Sequence, residues 1–214
     1  MSIENQKQIA KEVLDKLEIT DPNCILAGGA PRDWWFEQEA NDLDFYVYWG
    51  ENSTTSADLC RLKLLGFEDI KPLNRAPLED IYGTIPELNR VWELVYKEQK
   101  VQIMVMDKST FNCVVDRFGT GVCMAWWKGN GVRVTSMFLE SHLSKTLYVK
   151  DDYNAKTSHV TKMQDRYPTY VKRPYSEYNG SFLKKSKTPL WVLSNLGENQ
   201  NYKRCTELFL EGEE

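Results

Sequence analysis

Apolar residues recur at helical spacing near the start of the chain, at Ile9, Val13, Leu14 and Leu17, which predicts an amphipathic helix over 4–17. Asp21-Pro22-Asn23 signals a turn, and Cys24 to Ala27 is an apolar run of strand length. After two glycines, Pro31 to Glu39 suits a short helix, because proline is tolerated in a first turn. Leu43 to Trp49 is rich in β-branched and aromatic residues and predicts a strand. Ser56 to Leu65 returns to helical spacing and closes at Gly66, while 69–81 holds two prolines and is expected as loop. Val91 to Tyr96 and Lys100 to Met106 predict paired strands about the polar turn Lys97-Glu98-Gln99. Further strands are expected over 111–115, 122–127 and 132–138, with Gly119 and Gly121 between the first two. A helix is expected over 154–167, stopped at Pro168, followed by a basic, loop-like stretch over 181–187, an apolar run over 191–193 and a frayed acidic tail. A strand-dominated first portion with flanking helices predicts the α+β class, a mixed β-sheet flanked by helices.

Composition shifts near Lys150. Residues 150–190 hold nine Lys and Arg against four Asp and Glu, interleaved with Tyr153, Tyr167, Tyr170, Tyr175 and Tyr178. This divides the chain into a domain over 1–149 and a basic, Tyr-rich C-terminal extension over 150–214, expected to pack on it. Lys162, Arg166, Lys172 and Arg173 are the residues there that would contact a nucleic-acid backbone, with tyrosines available for stacking. A solvated face with buried tyrosines is the alternative. Across all 214 residues the net charge is -4, so no global nucleic-acid signature exists, although a local pocket suffices for a nucleotide. No apolar run reaches membrane-spanning length, the first residues lack the layout of a signal peptide, and the expected compartment is the cytoplasm. The five cysteines form no C-x-x-C pair and read as buried free thiols rather than disulfides or a zinc site. His142 and His159 lie far apart in sequence and pair with no obvious nucleophile, which argues against a Cys-His or Ser-His hydrolase.

The chemistry concentrates between Ile25 and Val47. Asp42 and Asp44 lie two apart in a predicted strand, so both carboxylates project from one face, as a hard divalent cation requires. Magnesium takes a few carboxylates plus substrate phosphate oxygens and keeps some waters. Gly28 and Gly29 leave the backbone bare enough to approach phosphates, helped by a helix N-terminus. Arg32 offers a charge-assisted contact to phosphate or an anchor for the carboxylates, and Asp33 a cap or brace.

Gly28-Gly29-x-x-Arg32-Asp33, a short spacer from Trp34 to Asn41, and then Asp42-x-Asp44 resemble the head-domain motif of poly(A) polymerases and CCA-adding enzymes, members of the DNA polymerase β-like nucleotidyltransferase superfamily. Phe111-Asn112-Cys113, after the strand KVQIMVMD, is similar to a downstream segment of that family and is one residue shorter. The resemblance covers roughly residues 20–120. It implies a nucleotidyltransferase-like sheet, Mg2+ or Mn2+ as cofactor, an NTP substrate, and transfer of NMP to a hydroxyl on RNA, protein or a small molecule. By the same resemblance Asp42 and Asp44 are the catalytic metal ligands, and Gly28, Gly29, Arg32 and Asn112 bind the nucleotide.

Two departures qualify it. The family has a third carboxylate in the strand that here reads Val101 to Met106, and Gln102 holds its position, with Glu93 and Asp107 the nearest acids. The family's long helical neck and body have no counterpart downstream, so CCA addition to tRNA is not expected. The competing reading is a module of the same fold that binds nucleotide, RNA or a partner without turnover. A third reading is an RNA-binding accessory protein acting through 150–190. Asp42 and Asp44 as plain surface acids, and Arg32 paired structurally with Asp33, complete the alternatives.

Overall fold

The structure is a computed structural model, and it describes residues 1–50, 53–73, 88–107, 114–115, 118–150 and 158–180. Helix α1 (Ile3–Glu18) forms where its spacing predicts, with Ser2 accepting from the Asn5 amide as N-cap and Ile9, Val13, Leu14 and Leu17 buried. The chain then runs through β1 (Ile25–Ala27), α2 (Gly29–Trp35) and β2 (Asp42–Tyr48). Helix α2 begins and ends earlier than the expected 31–39. Gly28, at φ 91°, turns the chain directly from β1 into the helix, a conformation that L side chains rarely adopt. At the other end Glu37, at φ 54°, takes the chain out of helical geometry.

Helix α3 (Thr55–Leu64) is capped by Thr54 and followed by Gly66 at φ 76°. Strand β3 (Lys71–Pro72) occupies part of the expected loop and pairs with β4 (Leu88–Tyr96). Strand β5 (Gln99–Met106) returns beside β4 through a two-residue turn. Lys97 and Glu98 both have positive φ there, 48° and 66°, which matches the twist of a tight hairpin.

The second half departs further from expectation. Val114 lies in a turn and Val115 in a helical turn rather than a strand, and Phe111, Asn112 and Cys113 lie outside the described residues. Of 122–127 only β6 (Ala125–Trp127) is extended, because Gly121–Cys123 makes a tight helical turn. A Cβ on Gly121 would come within 2.8 Å of Ser141 Oγ and 2.9 Å of Met137 Cγ, so this close approach requires glycine. Strand β7 (Val132–Val134) ends at Thr135, whose side chain caps helix α4 (Ser136–Leu143) by accepting from the Phe138 amide. Apolar content at Met137 and Phe138 reads equally as strand, and the cap decides for helix. Strand β8 (Thr146–Val149) follows, then α5 (Ser158–Arg166) within the expected 154–167, then β9 (Val171–Pro174). Residues 181–214, with the basic loop-like stretch, the apolar run and the tail, lie outside the described residues.

Among the described residues the main sheet has seven strands in the order β3-β4-β5-β2-β1-β6-β7, with β2 and β5 parallel and the other neighbours antiparallel. The class is α+β, a mixed sheet flanked by helices, as expected. Strands β8 and β9 form a separate parallel pair. The described part of the basic segment is thus woven into the domain. Tyr167 and Tyr170 pack around His142, Tyr175 donates to the Phe118 carbonyl at 2.5 Å, and Tyr178 donates to Ser136 Oγ at 2.9 Å. The Tyr175 and Tyr178 hydroxyls fasten the segment to the rest of the domain.

Alternation along β2 decides what the sheet presents. Leu43, Phe45 and Val47 are buried, next to Val101, Ile103 and Val105 of β5. The opposite parity carries Asp42, Asp44 and Tyr46. Entry into β2 is fixed by the buried Gln6 of α1, which donates to the Ala40 carbonyl at 2.6 Å and to Gln99 Oε1 at 2.9 Å. Its own Oε1 accepts from Trp34 Nε1 and the Ala40 amide. Gln99 in turn donates to the Asn41 carbonyl at 3.1 Å, so the residue before Asp42 is held from two sides.

Candidate functional site

One pocket of about 440 Å³ gathers most of the residues singled out from sequence, a size usual for small-molecule sites. Gly28, Gly29, Arg32, Asp42 and Asp44 all line it. Lys162 and Arg166 of α5 line it as well, whereas Lys172 and Arg173 lie on exposed β9, away from it, with Arg173 paired to Glu177 at 2.9 Å. Asn112 lies outside the described residues.

The carboxylates sit as the D-x-D spacing requires. Asp44 Oδ1 is buried and lacks a hydrogen-bond partner. Burial, and then the neighbouring Asp42 carboxylate, raise the Asp44 pKa to about 8. A half-buried carboxyl with one buried, orphaned oxygen, next to a second acid on the same strand face, suits a divalent cation, which would satisfy that oxygen and relieve the repulsion. Among the described residues no cluster of three or more His, Cys, Asp or Glu is placed to hold a metal.

The neighbouring strands explain why. Gln102 lies in register with Asp44 across the parallel β2–β5 pair, and Glu93 lies in register with Gln102 one strand further out. Strands are spaced about 4.8 Å apart, so Glu93 stands roughly twice that from β2. It is also engaged, accepting from Gln102 Nε2 at 3.2 Å and lying 2.7 Å from Lys100 Nζ. The Lys100 contact outweighs burial, which acts the other way, and holds the Glu93 carboxyl below its usual range. Lys100 itself is in register with Asp42. Asp107 lies past the far end of β5 and accepts from Asn89 Nδ2. Among the described residues, the position beside Asp44 on β5 therefore carries an amide, with the Lys100 ammonium beside Asp42.

The glycine turn and Arg32 take more internal duties than the motif suggests. The Gly28 amide donates to the Ala125 carbonyl at 2.8 Å and so belongs to the sheet. Helix α2 spans two turns with no side-chain cap, leaving the turn bare. Arg32 is 5% exposed; its Nε donates to Asp33 Oδ1 at 2.8 Å and its Nη1 to Cys123 Sγ at 3.3 Å. Arg166 Nη2 donates to the same Asp33 oxygen at 2.7 Å and to Gln38 Oε1 at 2.7 Å. Asp33 is thus the brace, held between two guanidinium groups, and Arg32 is buried in the pocket wall.

Sequence spacing gives no sign that Cys123 and His159 meet. They are 36 residues apart in sequence, yet His159 Nε2 lies 3.8 Å from Cys123 Sγ, so the histidine does meet a thiol in the pocket. Cys24 and Cys123 are buried free thiols as expected, but Cys60 is exposed on α3. No helix among the described residues is long and apolar enough to cross a membrane.

No protein-family model matches the chain, and no curated protein sequence matches it. Solved structures do. It is similar to a tRNA-processing enzyme complex, at 13% identity over 88% of this chain and 53% of the other, with TM-score 0.46. It is also similar to a CCA-adding enzyme in complex with CTP, at 12% identity over 94% of this chain and 51% of the other, again with TM-score 0.46. The chain spans about half the length of both.

Proposed function

We propose that the protein is a nucleotidyltransferase that binds a nucleoside triphosphate with one magnesium or manganese ion and transfers the NMP group to a hydroxyl on RNA, protein or a small molecule. The observation that carries this reading is the orphaned Asp44 Oδ1 beside Asp42, in the same pocket as the bare Gly28-Gly29 turn. Asp42 and Asp44 would hold the cation. When bound, it would neutralise triphosphate charge and lower the barrier at the leaving pyrophosphate. Around it, Lys162 supplies positive charge to the pocket from α5, and the glycine turn gives phosphates close access to backbone. Arg32 acts from within the wall, holding Asp33 and the turn in place. Asn112 remains the proposed contact to the nucleotide on the strength of the family resemblance.

A second reading has a specific observation in its favour. Gln102 stands in register with Asp44 where the family has its third acid, and Glu93 is tied to Lys100. A site with that pattern binds the nucleotide and lacks the carboxylate that would steer an attacking hydroxyl. Incubation with each α-labelled NTP, with and without RNA or cell lysate, separates the two. Label transfer that disappears in Asp42→Ala and Asp44→Ala supports the enzyme. NTP binding by calorimetry without label transfer supports the binding module.

A further inference from the structure

Three elements converge on one sulfur in the pocket wall. The turn Gly121–Cys123 carries Cys123, α2 carries Arg32, and α5 carries His159 and Met163, one helical turn apart on the same face. Cys123 Sγ accepts from Arg32 Nη1 at 3.3 Å, lies 3.8 Å from His159 Nε2 and 3.7 Å from Met163 Sδ. His159 Nε2 is also 3.4 Å from Thr120 Oγ1. A guanidinium aimed at a sulfur is the arrangement that favours thiolate over thiol.

The chain supplies its own contrast. Cys24 is buried with its sulfur facing the Leu14 carbonyl at 4.0 Å; Lys128 Nζ donates to the Cys24 carbonyl at 3.0 Å and not to the sulfur, and burial outweighs that ammonium and pushes the thiol up to about 12. Burial acts on Cys123 in the same direction, but Arg32, with His159 and Thr120, outweighs it and brings the thiol down to about 6. Burial also works against the Arg32 charge, and Cys123 and Asp33 more than offset it. The two groups hold each other ionised.

We propose that Cys123 is the most reactive of the described thiols and an oxidative modification site whose state controls the pocket. The co-reactant is a hydroperoxide. The thiolate sulfur attacks the terminal peroxide oxygen; an S–O bond forms as the O–O bond breaks. Sulfur gives up two electrons, the peroxide accepts them, and the alkoxide or hydroxide leaves to take a proton from water. The product is a neutral sulfenic acid. Arg32 keeps the Asp33 carboxylate as its anionic partner, but an extra oxygen enters a cluster packed at 3.3–3.8 Å and displaces the guanidinium. Because Arg32 braces Asp33 within α2, one helical turn after Gly28-Gly29, the oxidised pocket takes up nucleotide less well. That consequence rests on the nucleotide-binding reading above; the reactivity of Cys123 does not.

The test uses the full chain. Limiting iodoacetamide at neutral pH, followed by peptide mass spectrometry, should label Cys123 ahead of the exposed Cys60, and magnesium with NTP should slow the Cys123 reaction. Hydrogen peroxide followed by dimedone should trap the sulfenic acid at Cys123 and weaken NTP binding by about tenfold or more. Cys123→Ser should bind NTP and be indifferent to peroxide. Faster labelling of Cys60, with Cys123 silent until denaturant is added, overturns the proposal. NTP binding that peroxide leaves unchanged, while Cys123 is shown oxidised, overturns the control and leaves the nucleotide site standing. Untreated protein that binds no NTP counts against the nucleotide site, and the labelling order still decides the thiol.

Discussion

Replacing Asp44 by asparagine should make the cation-free protein more stable, increasingly so as pH rises. The Asp44 carboxyl is raised from 3.8 to about 8, first by burial and then by Asp42. Below pH 3.8 the folded and unfolded chains both hold the proton and Asp44 is neutral in its effect. Between 3.8 and about 8 the unfolded chain has released it while the folded chain keeps it, so stability falls with rising pH. Above 8 the penalty is constant. At pH 7 the gap corresponds to a cost of up to roughly 4 kcal/mol, which asparagine, being neutral, escapes. For a chain of this size that is a rise in melting temperature on the order of 10 °C. Urea denaturation of both proteins in EDTA, at pH 4 and at pH 8, measures it. The variant should gain at pH 8 and little at pH 4, and magnesium should stabilise only the wild type. Equal stabilities at both pH values would refute the reasoning, because Asp44 would then be an ordinary solvated acid.

Three further outcomes follow from named contacts. Asp58, fully buried, accepts from Arg90 Nε at 2.7 Å and Ser53 Oγ at 2.5 Å, so Asp58→Ala should cost about 1.5–3 kcal/mol in denaturant titration by removing the charged acceptor of a partly exposed guanidinium. Burial, then Lys145 and Arg32, push His142 well below 6.5, so its contribution to stability should fade as pH drops below 6.5; the slope of stability against pH should flatten in His142→Gln. If RNA is the acceptor, Lys162→Glu with Arg166→Glu should weaken its salt-dependent binding more than Lys172→Glu with Arg173→Glu, since only the first pair lines the pocket.

Much of the first half of the fold was legible in the sequence because its signals are local. The apolar spacing of α1, the D-x-D parity of β2 and the hairpin at Lys97-Glu98 each follow from a few adjacent residues. The second half was less legible because its elements are short and decided by distant partners. Helix α4 was hidden behind apolar residues that suit a strand, with Thr135 the overlooked cap. Strands β8 and β9 exist because Thr146 to Val149 finds Val171 to Pro174 beyond α5, a pairing no local pattern announces. In the site, the glycines and carboxylates were readable because strand and turn geometry fix their directions. The third acid could be doubted from Gln102 alone, but the engagement of Glu93 by Lys100 needed the register of three strands. The meeting of Cys123 with His159 and Arg32 left no trace in spacing, since it depends on α5 folding back over the turn at 121–123.

Calorimetry of magnesium with each NTP, on wild type, Asp42→Ala and Asp44→Ala, tests the central claim most directly. The account predicts saturable, cation-dependent binding in the wild type and its loss in both variants, with circular dichroism unchanged. Binding that persists without the carboxylates, or a folded wild type that binds no NTP with magnesium or manganese, would contradict it.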